Sequence, residues 1–156
     1  MHHSGRAQRE QNGAIATARA FRIVVASHGG LARAMLGSAA MICGPVADAV
    51  AVDLQPEQSP EAYGDALRSA MGDDGRPVLI LTDLLGGTPH NVASLICLES
   101  RGLALSTVCV SGTNLGMLLE AATCMESLDV DSIARLEAAG RASIVNVMPR
   151  LEQSNV

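Results

Sequence analysis

Four short runs rich in β-branched and aliphatic residues, "RIVVA", "VADAVAVD", "PVLILT" and "LALSTVCVS", are separated by longer stretches with helical periodicity, and this alternation constrains the fold most. Strands spaced by helix-length segments do not pair as tight hairpins. Each return needs a crossover, so the runs are expected to lie largely parallel in one sheet with helices on its faces, an α/β architecture.

The intervening segments carry their own punctuation. "LARAMLGSAAMIC" places Leu31, Met35, Ala39 and Ile42 on one stripe, with Gly44-Pro45 as the stop. "SPEAYGDALRSAMG" opens with Ser59 as an N-cap and Pro60 at the first helical position, and Ala62, Ala66, Leu67 and Ala70 repeat at helical spacing. "TPHNVASLICLES" has the same cap-and-proline start, Thr88 then Pro89, followed by Val92, Leu95, Ile96 and Glu99. "NLGMLLEAATCM" and "VDSIARLEAAG" are two further helices, and "ASIVNVM" is a fifth strand with no crossover helix after it. Such a strand is expected to pair antiparallel at a sheet edge, in its own subunit or a neighbour.

At 156 residues the chain suits one domain, taken here as residues 21–150, with 1–20 a flexible leader or expression-derived segment and 151–156 a tail. Phe21 and Tyr63 are its only aromatics, so the core must be aliphatic and there is no stacking platform for bases or sugar rings. A net charge of −5 lacks the clustered cations that nucleic acid requires. No apolar run approaches the roughly 18–20 residues of a membrane span. The four cysteines, Cys43, Cys97, Cys109 and Cys124, lie far apart in apolar contexts and are expected to be buried thiols of a reducing cytosol.

In an open parallel sheet, ligands sit beyond the carboxyl ends of the strands at the point where connections switch faces, between strands one and three in flavodoxin-like order. His28 in "VVASHGG" follows the first strand and Asp83 in "LTDLLGGTPHN" follows the third, so the two side chains should meet there. A carboxylate on one imidazole nitrogen fixes the tautomer and leaves the other nitrogen as a nucleophile. Gly86, Gly87 and Thr88 open one helix and Gly29 and Gly30 another, giving two N-termini with free amides for an anion. The combination is a phosphohistidine site.

Two other chemistries use some of the same residues. His28, Asp83 and His90 could be drawn as a three-ligand metal site, but no fourth ligand or second acid stands near them. Ser27 beside His28 suggests a hydrolase nucleophile, but "SHGG" lacks the G-x-S-x-G elbow.

"IVVASHGGLARAMLGSAAMICG", "LILTDLLGGTPHNVAS" and "VSGTNLGMLLE" resemble, in order and spacing, the IIA component of the mannose-type bacterial phosphotransferase system, most closely its N-acetylgalactosamine-like branch. The resemblance implies a cytoplasmic phosphocarrier that accepts phosphate from phospho-HPr and passes it to a IIB component, here a separate chain, for sugar uptake and phosphorylation, with IIC and IID membrane proteins as partners reached through IIB. It implies that His28 is the phosphorylated residue, Asp83 its hydrogen-bond partner, and Gly86, Gly87 and Thr88 the loop at the phosphate, with Ser27 and Asn114 lining the site. No metal or organic cofactor is implied. Members are homodimers that exchange the last strand, which would give "ASIVNVM" its partner. His90 stands where the family commonly has an aromatic residue, making that wall of the site more polar. A regulatory protein that signals through the phosphorylation state of His28 shares this chemistry and differs only in its partner.

Overall fold

Every second residue of the first strand goes to the opposite face of the sheet, and both faces are apolar. Ile23 and Val25 belong to one buried cluster, Val24 and Ala26 to the other. This is the pattern of a strand covered on both sides. The computed structural model describes residues 19–101 and 106–149. Its elements are β1 (Arg22–His28), α1 (Leu31–Cys43), β2 (Ala49–Leu54), α2 (Pro60–Met71), β3 (Val78–Thr82), α3 (Thr88–Glu99), β4 (Thr107–Ser111), α4 (Leu115–Thr123) and α5 (Val130–Ala142).

The strands form one sheet in the order β2-β1-β3-β4, with all pairs parallel. Leu79 and Leu81 of β3 join Ile23 and Val25 beneath α1, α4 and α5, where Ala32, Ala39, Leu118 and Leu136 are buried. Val78 and Ile80 join Val24 and Ala26 beneath α2 and α3, against Tyr63, Leu67, Ala93 and Ile96. Fully burying one such aliphatic side chain contributes about 1.5–3 kcal/mol, so the two largely aliphatic layers carry most of the fold, with one aromatic in each, Phe21 and Tyr63. Because β1 sends its connection to β2 on one side while β3 lies on the other, the switch point falls between β1 and β3. Ala26 is level with Thr82, so the residues that follow emerge together at one end of the sheet.

At the opposite end, Arg19 braces the strand starts to α4. Its guanidinium donates to the carbonyls of Ala122 at 2.6 Å, Met125 at 3.1 Å and Ala121, at the negative end of the helix, and lies 4.9 Å over the Phe21 ring. Its backbone N–H donates to Asp48, which also receives Arg76. Hydrogen bonds from a charged group contribute about 1.5–3 kcal/mol each when well formed.

Several local expectations need correction. Met35 and Ala39 of the stripe read in the sequence face the core, joined there by Ala32 and Leu36, whereas Leu31 and Ile42 are 46% and 61% exposed. Similarly, Ala62 of α2 is exposed and Tyr63 is buried, while α3 buries Pro89, Ala93 and Ile96 and exposes Leu95. β2 begins only at Ala49, because Asp48 adopts a left-handed φ of 57° and breaks the extended run. Gly87, not Thr88, is the N-cap of α3. Cys43 and Cys124 are exposed, and Cys97 and Cys109 are partly buried; all four are free.

"ASIVNVM" forms no strand within this chain: Ala142 ends α5, Ser143 and Ile144 bond back to its last turn, and Ser143–Val147 joins no strand ladder among the described residues. A strand exists through its ladder, and no partner for this one occurs among the described residues of a single chain. The beginning of "LALSTVCVS", most of the leader and the tail lie outside the described residues.

Candidate phosphoryl site

The site begins at the end of β1, where the chain must leave the sheet and start a helix within three residues. Gly29 makes the turn at φ +55°, a left-handed conformation that favours glycine, and its N–H donates to Leu54 O at 2.9 Å. His28 is thereby left on the rim, with its side chain 44% exposed. Asp83, directly after β3, is 12% exposed and turns back toward it.

One oxygen of Asp83, Oδ2, lies 2.9 Å from His28 Nδ1 and also accepts the His28 backbone N–H at 2.9 Å. Its other oxygen accepts Leu84 N–H at 2.8 Å. Burial pushes the Asp83 carboxyl upward, but the hydrogen bonds from the His28 amide, the imidazole and the Leu84 amide outweigh it and hold the group below its ordinary value. An ionised carboxylate only accepts, so the network assigns the proton to Nδ1 and the lone pair to Nε2.

The ring packs against the start of α3. A Cβ on Gly87 would stand 2.6 Å from His28 Cε1 and 3.3 Å from Nε2, so only glycine permits this approach. Gly86 adopts φ +81°, and Gly87 N–H closes on Leu84 O at 3.1 Å. The first turn of α3 is closed by Asn91 N–H on Gly87 O, leaving the amides of Thr88 and His90 ahead of any intrahelical partner. The positive end of α3 therefore sits beside the imidazole, where an anion is stabilised. A cavity of about 370 Å³ opens here, lined by His28, Gly29, Leu54, Gln55, Pro56, Gln58, Pro60 and Thr88.

The glycine-opened start of α1 has a different fate. Its Ala32 N–H is taken by Ser27 Oγ at 2.7 Å and by Asp53 Oδ1 at 3.0 Å, and Ser27 itself bonds Asp53 at 3.1 Å. The side chain of Asp53 is 3% exposed, with Arg33 Nη2 3.7 Å from its other oxygen. Ser27, 1% exposed, is thus spent on the frame beneath His28. Asn114 is also committed elsewhere: it caps α4 through Met117 N–H at 3.1 Å and donates to Gly140 O at 3.0 Å.

His90 and Asn114 line a second and larger cavity of about 610 Å³, bordered by Leu85, Ser111 and Arg141, on the β4 side. The His90 Nδ1 there is buried and has no partner among the described residues. Of the two, the smaller cavity is the one lined by the imidazole that is paired with a carboxylate. Among the described residues no group of three or more His, Cys, Asp or Glu side chains could hold a metal ion, and no helix is long and apolar enough to cross a membrane.

Asp53, Arg33, Gln55 and Gln58 escaped the sequence reading. Asp53 had one available signal: in a parallel pair, the polar residue ending β2 must lie level with the end of β1, and Asp53 is in register with Ser27.

Comparison with known proteins gives this geometry its context. A family model described as PTS system fructose IIA component matches residues 22–136. The PTS system fructose-specific EIIA component of Bacillus subtilis (strain 168) is 27% identical over 134 residues, covering 84% of this chain and 89% of that protein. The sorbose-specific EIIA component of Lacticaseibacillus casei is 29% identical over 113 residues, covering 71% and 78% respectively. Among solved structures, phosphotransferase system component EIIA from Streptococcus agalactiae superposes with a TM-score of 0.73 at 31% identity, covering 81% of this chain and 96% of that one. The mannose/sorbose-specific IIA subunit from Enterococcus faecalis gives 0.69 at 32% identity, covering 80% and 92%. The family match spans both strand ends that carry His28 and Asp83, and the chain belongs to the mannose-type IIA family of the sugar phosphotransferase system.

Proposed function

We propose that His28 accepts a phosphoryl group from phospho-HPr at Nε2 and passes it to a IIB component, making the protein a cytoplasmic phosphotransferase that works through a phosphohistidine. The observation that carries this reading is the Asp83–His28 pair held against the N-terminus of α3. In the forward step the Nε2 lone pair attacks phosphorus, the N–P bond of the donor breaks, and its electron pair returns to the donor imidazole. Nδ1 keeps its proton throughout. The His28 ring then carries positive charge, which Asp83 stabilises, while the Thr88 and His90 amides and the Thr88 hydroxyl stand ready for the phosphoryl oxygens. Transfer between two histidines is close to isoenergetic, so positioning and fixed dipoles suffice.

The IIB acceptor is taken to be a separate chain that delivers the group to a sugar hydroxyl during uptake by IIC and IID membrane proteins. A homodimer is supported by the open outer edge of β4, whose Thr107 and Ser111 hydroxyls lack partners among the described residues, and by the exposed Ile144, Val145, Val147 and Met148 beyond α5.

The direct test is incubation with phosphoenolpyruvate, enzyme I and HPr, followed by intact mass under mildly alkaline conditions. Wild type is expected to gain one phosphoryl group and His28→Ala none. Equal gain in both, or none in wild type while HPr is phosphorylated, would overturn the assignment.

A further inference from the structure

Two helices begin beside His28, yet their N-termini are not equivalent. Both open on glycine and both point their positive ends toward the loop end of the sheet, which by itself makes each an anion site. α3 has nothing acidic in its first turn and its leading amides are open. At α1 an internal carboxylate already occupies the place an anion would take: Asp53 Oδ1 accepts Ala32 N–H at 3.0 Å, with Ser27 Oγ sharing the same donor. Asp53 is almost fully buried, and among the described residues its Oδ2 has no hydrogen-bond partner and an ion pair only with Arg33, at 3.7 Å. The retention of a poorly satisfied carboxylate beneath the nucleophile is costly, because a buried charge needs full pairing to break even. Packing does not explain it, since an amide would fill the same space.

We propose that Asp53 is a positioning residue that closes the N-terminus of α1 to the phosphoryl group and so directs it to the N-terminus of α3, an inference that rests on the phosphoryl-acceptor reading of His28. The carboxylate acts in two ways. Together with Ser27 Oγ it occupies the Ala32 donor, and its charge repels a dianion from the α1 side of the ring. The result is one preferred orientation of the group, with its oxygens toward Thr88 and its outer face open to the donor or acceptor protein. The charged groups around the imidazole are then Asp83 on Nδ1 and, behind Ser27, Asp53 with Arg33 beside it.

The experiment is titration of the folded, unphosphorylated protein with inorganic phosphate, followed by backbone amide chemical shifts in wild type and Asp53→Asn. Wild type is expected to respond at Thr88 and His90 and not at Gly30–Ala32, whereas D53N gains a phosphate-dependent response at Gly30–Ala32. Ser27→Ala, which keeps the carboxylate, should behave as wild type. Should Asn at this position not fold, Asp53→Ser removes the same charge. A response at the α1 amides of wild type, or no new response there once the charge is removed, would overturn the proposal. This titration involves no HPr, so it remains readable if phosphoryl transfer to His28 fails. With phospho-HPr, the second readout is the fraction phosphorylated at equilibrium, from which the transfer equilibrium constant is expected to rise about threefold or more in D53N as the repulsion is removed. A purely structural role for Asp53 would lower that fraction instead.

Discussion

Asp83 divides its carboxylate between two tasks, and the division explains why the imidazole is both fixed and free. Oδ2 holds the backbone and the ring of His28 at 2.9 Å each, while Oδ1 is committed to Leu84 N–H. The ring therefore has little freedom to flip, and Nε2 faces Gly87 and the cavity. Gly87→Ala tests this closeness. The added methyl would meet Cε1 at 2.6 Å, so the ring must rotate off its partner, and the rate of phosphorylation by phospho-HPr is expected to fall about 10- to 1000-fold with the fold retained. Single-turnover rates and a far-UV spectrum check both halves; an unchanged rate would show that the close approach has no role. His28 and Asp83 were legible in the sequence because a topological rule brings the ends of strands one and three together. Asp53 was not, because a single acid at the end of a strand belongs to no motif and acquires meaning only from the Ser27 register.

Among the elements, the strands and the existence of all five helices were readable from apolar runs and periodicity, whereas the faces of the helices were not. In α1 small residues occur all round, so Ala32 and Leu31 compete for the inward position, and only packing under α4 decides between them. The N-terminus of α5 shows how a cap ties an element to pH. Asp129 accepts Ser132 N–H at 2.7 Å and is also held by Ser127, and the Ser127 hydrogen bond, followed by those from Ser132, depresses its carboxyl to about 2. A depressed carboxyl contributes stability above its unfolded value, near 3.8, and loses it as pH falls through the folded value. Protection of the first-turn amides of α5 against hydrogen exchange should therefore weaken between about pH 4 and pH 2. Asp129→Asn keeps a capping oxygen without a titration, so its protection should not change over that window through this residue. Equal loss in both proteins would place the acid sensitivity elsewhere.

At the scale of the molecule, the sheet is closed on both faces but open at the β4 edge, and the apolar residues after α5 are exposed. Among the described residues both features are without partners, which is why a strand readable in "ASIVNVM" does not form here: a hydrophobic run specifies strand propensity, not the ladder that realises it. Deleting residues 143–149 is expected to convert a dimer to a monomer in analytical ultracentrifugation at micromolar concentration while leaving phosphorylation of His28 measurable. A deletion variant that remains dimeric would put the interface on another surface.

The central claim is that the fold reserves one nitrogen of His28 for phosphorus. Long-range proton–nitrogen correlation spectra of the protein phosphorylated through HPr identify that nitrogen directly. The account predicts a phosphorus bond at Nε2 with the proton retained on Nδ1 against Asp83; phosphorus on Nδ1, or an unmodified His28 in a phosphorylated chain, would contradict it.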